Sequence, residues 1–261
     1  MRKALLLTFI IFTSGILNAQ VYLGLGMGYA LGSGKRVNGF EIKGNVVENI
    51  YGSYGKGVVP NLKLGLMFND HLGVELNASF LIGASQTKLD SDTSFIEAKA
   101  TGLRLIPQLV YRIDGGLYGR IGFILPLFGQ TIVSETTDLS PTMKLETEMQ
   151  NKGSFSVGFA GAIGYIFSIS DNMNLYIEAQ YIGLAIRSGS AEYTEYKING
   201  EDKLSTLSTG QREFEYYDKV DNSTDNTLLN PNWDKDEPTI QLRQNAPFSA
   251  LEVNVGITFR I

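Results

Sequence analysis

The chain has 261 residues, 29 of them glycine and 7 proline, with one tryptophan, one histidine and no cysteine. The lack of cysteine excludes a disulfide scaffold, a thiolate metal site, a cysteine nucleophile and a lipid-modified cysteine anchor. With 22 basic against 27 acidic residues the formal charge is −5, a balance that argues against nucleic acid as a partner.

Met1-Arg-Lys3 and the apolar run Ala4 to Leu17 have the form of a secretory signal, with cleavage after Ala19. Residues 1–19 are therefore predicted as a signal peptide and 20–261 as one domain, of charge −7 once Arg2 and Lys3 are lost. Beyond the leader, no stretch is apolar enough to cross a bilayer as a helix. Alternation of apolar and polar side chains, the period of a strand with two unlike faces, recurs instead.

The first predicted strand, Val21 to Ala30, sets Val21, Leu23, Leu25, Met27 and Tyr29 against a face of Tyr22, Gly24, Gly26 and Gly28. A polar segment to Val59 follows, with Asn38-Gly39 as a hairpin-turn signal. Pro60 to Phe68 and Leu72 to Gly83 form the next pair around the turn Asn69-Asp70-His71, with Lys63 and Glu75 on their polar faces. After a polar gap come Lys99 to Ile113 and Gly116 to Val133, joined by a two-residue signal at Asp114-Gly115 and weakened by Pro107 and Pro126. Ser134 to Lys152 reads as another long polar gap. Gly153 to Ser168 and Asn174 to Arg187 make the third pair, Ser188 to Pro247 the longest gap, and Ala250 to Ile261 the last strand.

Eight strands separated by alternating long and short gaps describe an antiparallel meander with tight turns at one end and long loops at the other. An apolar outer face on every strand, with Phe68, Tyr111, Tyr165, Phe167 and Phe259 near the turns and Tyr29, Phe80, Phe155 and Tyr181 near the loops, predicts a transmembrane barrel flanked by aromatic girdles. The fold class is thus all-β, an up-and-down barrel whose short-turn end, carrying both termini, is the periplasmic one.

Eight strands enclose a lumen that side chains fill. Six inward charges fall well inside it: Lys63, Glu75, Arg120 and Glu178 at one level, Arg104 and Glu252 higher. Because an unpaired buried charge costs several kcal/mol, the first four are expected to neutralise one another and Arg104 to meet Glu252. The expectation is a static polar plug; the alternative is a narrow channel for ions or small solutes, opened by exchange of ion-pair partners.

The stretch from 189 to 247 holds twelve acidic and six basic residues, and so nearly all the net charge. Phe214, Tyr216, Tyr217 and Trp233 interleave there as candidates for recognition of an extracellular ligand. Asn199-Gly200 is a second hairpin signal. Asp221-Asn-Ser-Thr-Asp225 lacks the glycine and glutamate of a calcium loop, so no metal or cofactor is expected. His71 sits in a turn at the short-turn end, away from any outer-leaflet chemistry, and no enzymatic activity is predicted.

In this arrangement the chain resembles the small eight-stranded outer-membrane barrels of the OmpA/OmpX type, in the porin-like family of outer-membrane β-barrel proteins. The resemblance implies a bacterial outer-membrane location, contact with lipid and lipopolysaccharide, and insertion by the barrel assembly machinery through a last-strand signal for which Phe259 stands two residues from the end. A monomer is expected, and because nothing follows the eighth strand the peptidoglycan-binding domain that some relatives carry is expected to be absent. A structural or surface-interaction role through the long loops is the functional expectation.

Overall fold

The structure is a computed structural model, and its described residues are 20–34 and 37–261; the predicted signal peptide lies outside them. The strands in chain order are β1 (Gln20–Gly32), β2 (Val37–Lys43), β3 (Val46–Tyr51), β4 (Gly57–Met67), β5 (Leu72–Gly83), β6 (Gln86–Asp90), β7 (Ser94–Arg112), β8 (Leu117–Ser140) and β9 (Met143–Gly153). They continue as β10 (Gly158–Ser170), β11 (Met173–Gly183), β12 (Ala185–Ile198), β13 (Glu201–Asp202), β14 (Glu213–Tyr217), β15 (Thr239–Leu242), β16 (Asn245–Pro247) and β17 (Ala250–Arg260).

Eight of these close on themselves. Antiparallel ladders run β1–β4–β5–β7–β8–β10–β11–β17, and β17 pairs back onto β1 from Tyr22↔Arg260 to Gly32↔Ala250. Closure pairs the wall strands all the way round, apart from a short break beside β8, as hydrocarbon demands of a strand-built span. Outward side chains such as Leu25, Leu64, Leu109, Ile121, Phe123, Ile163, Ile177 and Val255 are largely exposed and encircle the barrel. An apolar belt of that extent is at home in lipid and would aggregate in water.

Two long barrel strands, β7 and β8, outgrow the barrel. Beyond the wall a second, open sheet runs β3–β2–β6–β7–β8–β9–β12–β14–β15, parallel only at β2–β6 and β14–β15. The predicted polar gap of residues 134–152 is therefore a β-hairpin, the end of β8 and all of β9. Both of its faces meet water, so the hydropathy contrast that marks a membrane strand is missing, while β-branched residues still favour the extended form.

Two turns also differ from expectation. Asn38-Gly39 lies within β2 at a register irregularity, and the hairpin turns at Gly44, whose φ is 59°; Gly39 is kept small by the Lys88 carbonyl against which it packs. Asp114-Gly115 belongs to a three-residue loop ending in Gly116, with Ile113 N donating to Leu117 O. Asn199-Gly200 does turn a hairpin, at φ 52° and 78° between β12 and β13.

Finally, residues 154–157 leave the wall instead of continuing the sixth barrel strand. β8 pairs with β10 from Leu117 to Ile124 and with β9 from Gln130 onward, so its residues 125–129 have no strand partner on that side. Ser154 N donates to Arg187 O at 2.7 Å and Arg187 N to Ser156 Oγ at 3.1 Å, which ties the departing segment to β12.

Candidate functional site

The alternation that puts leucines in lipid puts polar groups in the lumen, and these stack in layers. In the layer nearest the short turns, Lys63 from β4 donates to Glu178 Oε1 of β11 at 3.1 Å, and Arg120 from β8 binds both Glu178 Oε2 and Glu75 Oε2 of β5 (3.2 Å to Glu75). Three tyrosines complete it. Tyr22 donates to Glu75 at 2.7 Å, Tyr118 to Glu178 at 3.0 Å and Tyr176 to Asn61 Oδ1 at 3.1 Å. The rings also cover the cations, with Lys63 Nζ 4.1 Å from the Tyr176 centroid and the Arg120 guanidinium 4.6 Å from that of Tyr118. All of these side chains are buried. The inward glycines have a steric purpose here: a β-carbon on Gly65 would strike the Tyr22 ring, and one on Gly26 the Tyr176 hydroxyl.

Above this layer Arg104 of β7 donates to Glu252 Oε1 of β17 at 2.8 Å, both side chains nearly inaccessible. Each buried charge thus faces an opposite one, the condition under which burial is tolerable. Beside these charged groups Asn77, Ser79, Gln108 and Gln180 carry buried polar atoms with no protein partner.

The third layer is apolar, which the sequence reading missed. Ala30, Val59, Leu81, Ala98, Ala100, Ile106, Ile124, Ala160, Ile182 and Ala250 from the wall surround Tyr54 and Phe248, whose ring centroids are 5.7 Å apart. Those two rings come from the first and last long loops. Ser53 Oγ donates to Ser249 O at 2.7 Å, Tyr54 N to Pro247 O and Phe248 N to Leu184 O, so the two segments lock across the mouth. The signal available was slight: an aromatic residue set among Gly52, Ser53 and Gly55, and one following Pro247.

The loop candidates are not brought together as a surface. Phe214 packs edge-on against Tyr193 at 6.0 Å, and Trp233 lies over Gly210, where a β-carbon would collide with its indole. Tyr216 is half-buried; Tyr217, 47% accessible, is the candidate that faces solvent. The long last loop is braced electrostatically: Arg187 donates to both carboxylate oxygens of Asp218 at 2.6 and 2.8 Å, and Arg243 joins them. Nearby, hydrogen bonds from Ser223 Oγ (2.6 Å) and Lys219 Nζ (3.0 Å) hold Asp221 down from 3.8 to about 2. Among the described residues no group of three or more His, Asp or Glu is set to hold a metal ion.

Residues 5–210 match the family model for the outer membrane protein beta-barrel domain. The chain belongs to that family. A comparison with curated protein sequences finds no match. Among solved structures, this outer-membrane barrel is similar to OprG from Pseudomonas aeruginosa, at 14% identity over 93% of this chain and 96% of that one, with a TM-score of 0.43. It is similar to CarO2 of Acinetobacter baumannii at 11% identity, covering 93% and 99%, TM-score 0.41. A third likeness, 10% identical over 93% and 97% with a TM-score of 0.35, is to Ail, the attachment invasion locus protein of Yersinia pestis, in complex with a heparin analogue.

Proposed function

We propose that this protein is a closed outer-membrane barrel whose task is to hold a rigid β-sheet above the cell surface for interaction with an extracellular partner, without catalytic turnover. In this reading the short turns and both termini are periplasmic, and the long-loop end faces outward. The supporting observation is the layered filling of the lumen. A water-filled path would have to cross the Lys63–Glu75–Arg120–Glu178 cluster, the Arg104–Glu252 pair and then the Tyr54–Phe248 lid. In contrast, the sheet beyond the lid continues barrel strands β7 and β8 directly and so inherits their rigidity. Lipid and lipopolysaccharide surround the belt, and the chain acts as a monomer.

Single-channel recording on the folded protein in a planar bilayer tests this. A flat baseline is expected; discrete steps altered by Glu75→Gln or Arg120→Gln would replace the plug with a narrow channel for ions or small solutes. That second reading draws on the unpartnered amides of Gln108 and Gln180 beside the charged groups of the lumen, and it requires the lid to open.

A further inference from the structure

The separation of β8 from residues 154–157 leaves a window in the barrel wall. Behind it lies a cavity of about 300 Å³, at the lower end of the range of roughly 300–1,000 Å³ typical of small-molecule sites. The inner wall of the cavity is Leu81, Leu184 and Phe248 of the apolar layer, and its floor is Arg104. Because Arg104 is paired with Glu252 at 2.8 Å, the charge at the floor is neutralised.

The character of the rim identifies the occupant. Leu127, Phe128 and Phe155 border the window and are 53%, 63% and 79% accessible; they continue the apolar belt that faces lipid. Pro126 in the window has no backbone N–H to leave unsatisfied there. An apolar pocket that opens sideways into hydrocarbon is solvated by hydrocarbon. At the edge farther from the membrane centre stand two cations, Lys152 and Arg187, each held by a carboxylate, Glu192 or Asp218.

We propose that this pocket takes one acyl chain of an anionic lipid from the surrounding leaflet, with the lipid phosphate displacing Glu192 and Asp218 from Lys152 and Arg187, Asp218 keeping Arg243 as its partner. The inference is independent of whether the lumen conducts; the orientation proposed above matters only for making that leaflet the outer one. A bound chain would fill the wall where β8 lacks a partner, so the lipid becomes part of the fold.

Fluorescence quenching by brominated lipid tests the assignment. Trp233→Phe removes the only tryptophan, and Phe248→Trp in that background sets a reporter on the inner wall, with Phe159→Trp as a lipid-facing control. In vesicles of phosphatidylglycerol brominated along its chains, both reporters are expected to be quenched, and Ala246→Phe, which fills the pocket, to abolish quenching at position 248 while leaving the control unchanged. Ile186→Trp is the alternative reporter should Phe248→Trp fail to fold. A reporter quenched by aqueous acrylamide but not by brominated lipid, beside a quenched control, would overturn the proposal. Equal quenching by brominated phosphatidylcholine would overturn the anionic headgroup.

Discussion

The two ends of the lumen reach the same result, a filled interior, by opposite means. Near the short turns the filling is ionic and comes wholly from wall strands: Lys63, Glu75, Arg120 and Glu178 each sit where strand alternation points inward, and tyrosines and glycines share the remaining space. Near the long loops the wall contributes many small side chains, Ala30, Ala98, Ala100, Ala160 and Ala250, and the volume is taken up by Tyr54 and Phe248 brought in from outside. The ionic layer is therefore only as sound as its charge balance, whereas the apolar layer is only as sound as the docking of two loops. Loss of a partner charge should be felt as global stability, and loss of a loop ring as local opening.

That contrast can be broken most severely at Glu178, which binds both Lys63 and Arg120. Glu178→Ala leaves Lys63 without its carboxylate and Arg120 with Glu75 alone and should cost about 4 kcal/mol, measured as equilibrium urea unfolding in vesicles; a loss under about 1 kcal/mol would show that the layer is solvated rather than charge-balanced. Next comes Phe248→Ala, which empties the top of the lumen and should cost about 3 kcal/mol. Its distinguishing sign is hydrogen exchange: faster exchange at Tyr54 and Ser249, with the strands around Lys63 unchanged. Gly65→Ala forces the Tyr22 ring away from Glu75 and should cost about 2 kcal/mol, read in the same unfolding experiment; no loss would mean that Tyr22 moves freely.

The smallest effect concerns the last loop. Because Asp221 is held from 3.8 down to about 2 by Ser223 and Lys219, its folded form binds a proton less readily than the unfolded one. The contribution is therefore complete above pH 4 and disappears as pH falls through about 2. Exchange of the Ser223 amide, which bonds Asp221 Oδ1 at 3.0 Å, should lose its protection in that acid window and in Asp221→Asn at neutral pH, with the barrel amides unaffected.

Much of the wall was legible because lipid outside and a lumen inside impose a period of two on every strand. The same period set the six lumen charges inward, and counting from the turns separated the Arg104–Glu252 level from the level of Glu178. It also marked Tyr22, Tyr118 and Tyr176 as inward, though not as the groups that bond Glu75, Glu178 and Asn61. The reading failed where one medium bathes both faces. The hairpin of β8 and β9 reads as a loop because water on both sides erases the contrast. The placement of the loop aromatics was not legible for another reason: a loop aromatic has no period to orient it, and Phe214 and Trp233 are packed within the loop fold while Tyr217 is exposed.

By itself, then, the sequence determined the number of barrel strands, their direction and which side chains enter the lumen, because each is a local consequence of pleat geometry meeting two unlike solvents. Tertiary structure decided what closes the lumen and where the wall parts. The lid depends on Ser53 and Ser249 meeting although 196 positions apart, and the window on Ser154 and Ser156 choosing Arg187 over β8. Such contacts are made between loops whose ends the barrel has already fixed in space, and no period along the chain encodes them.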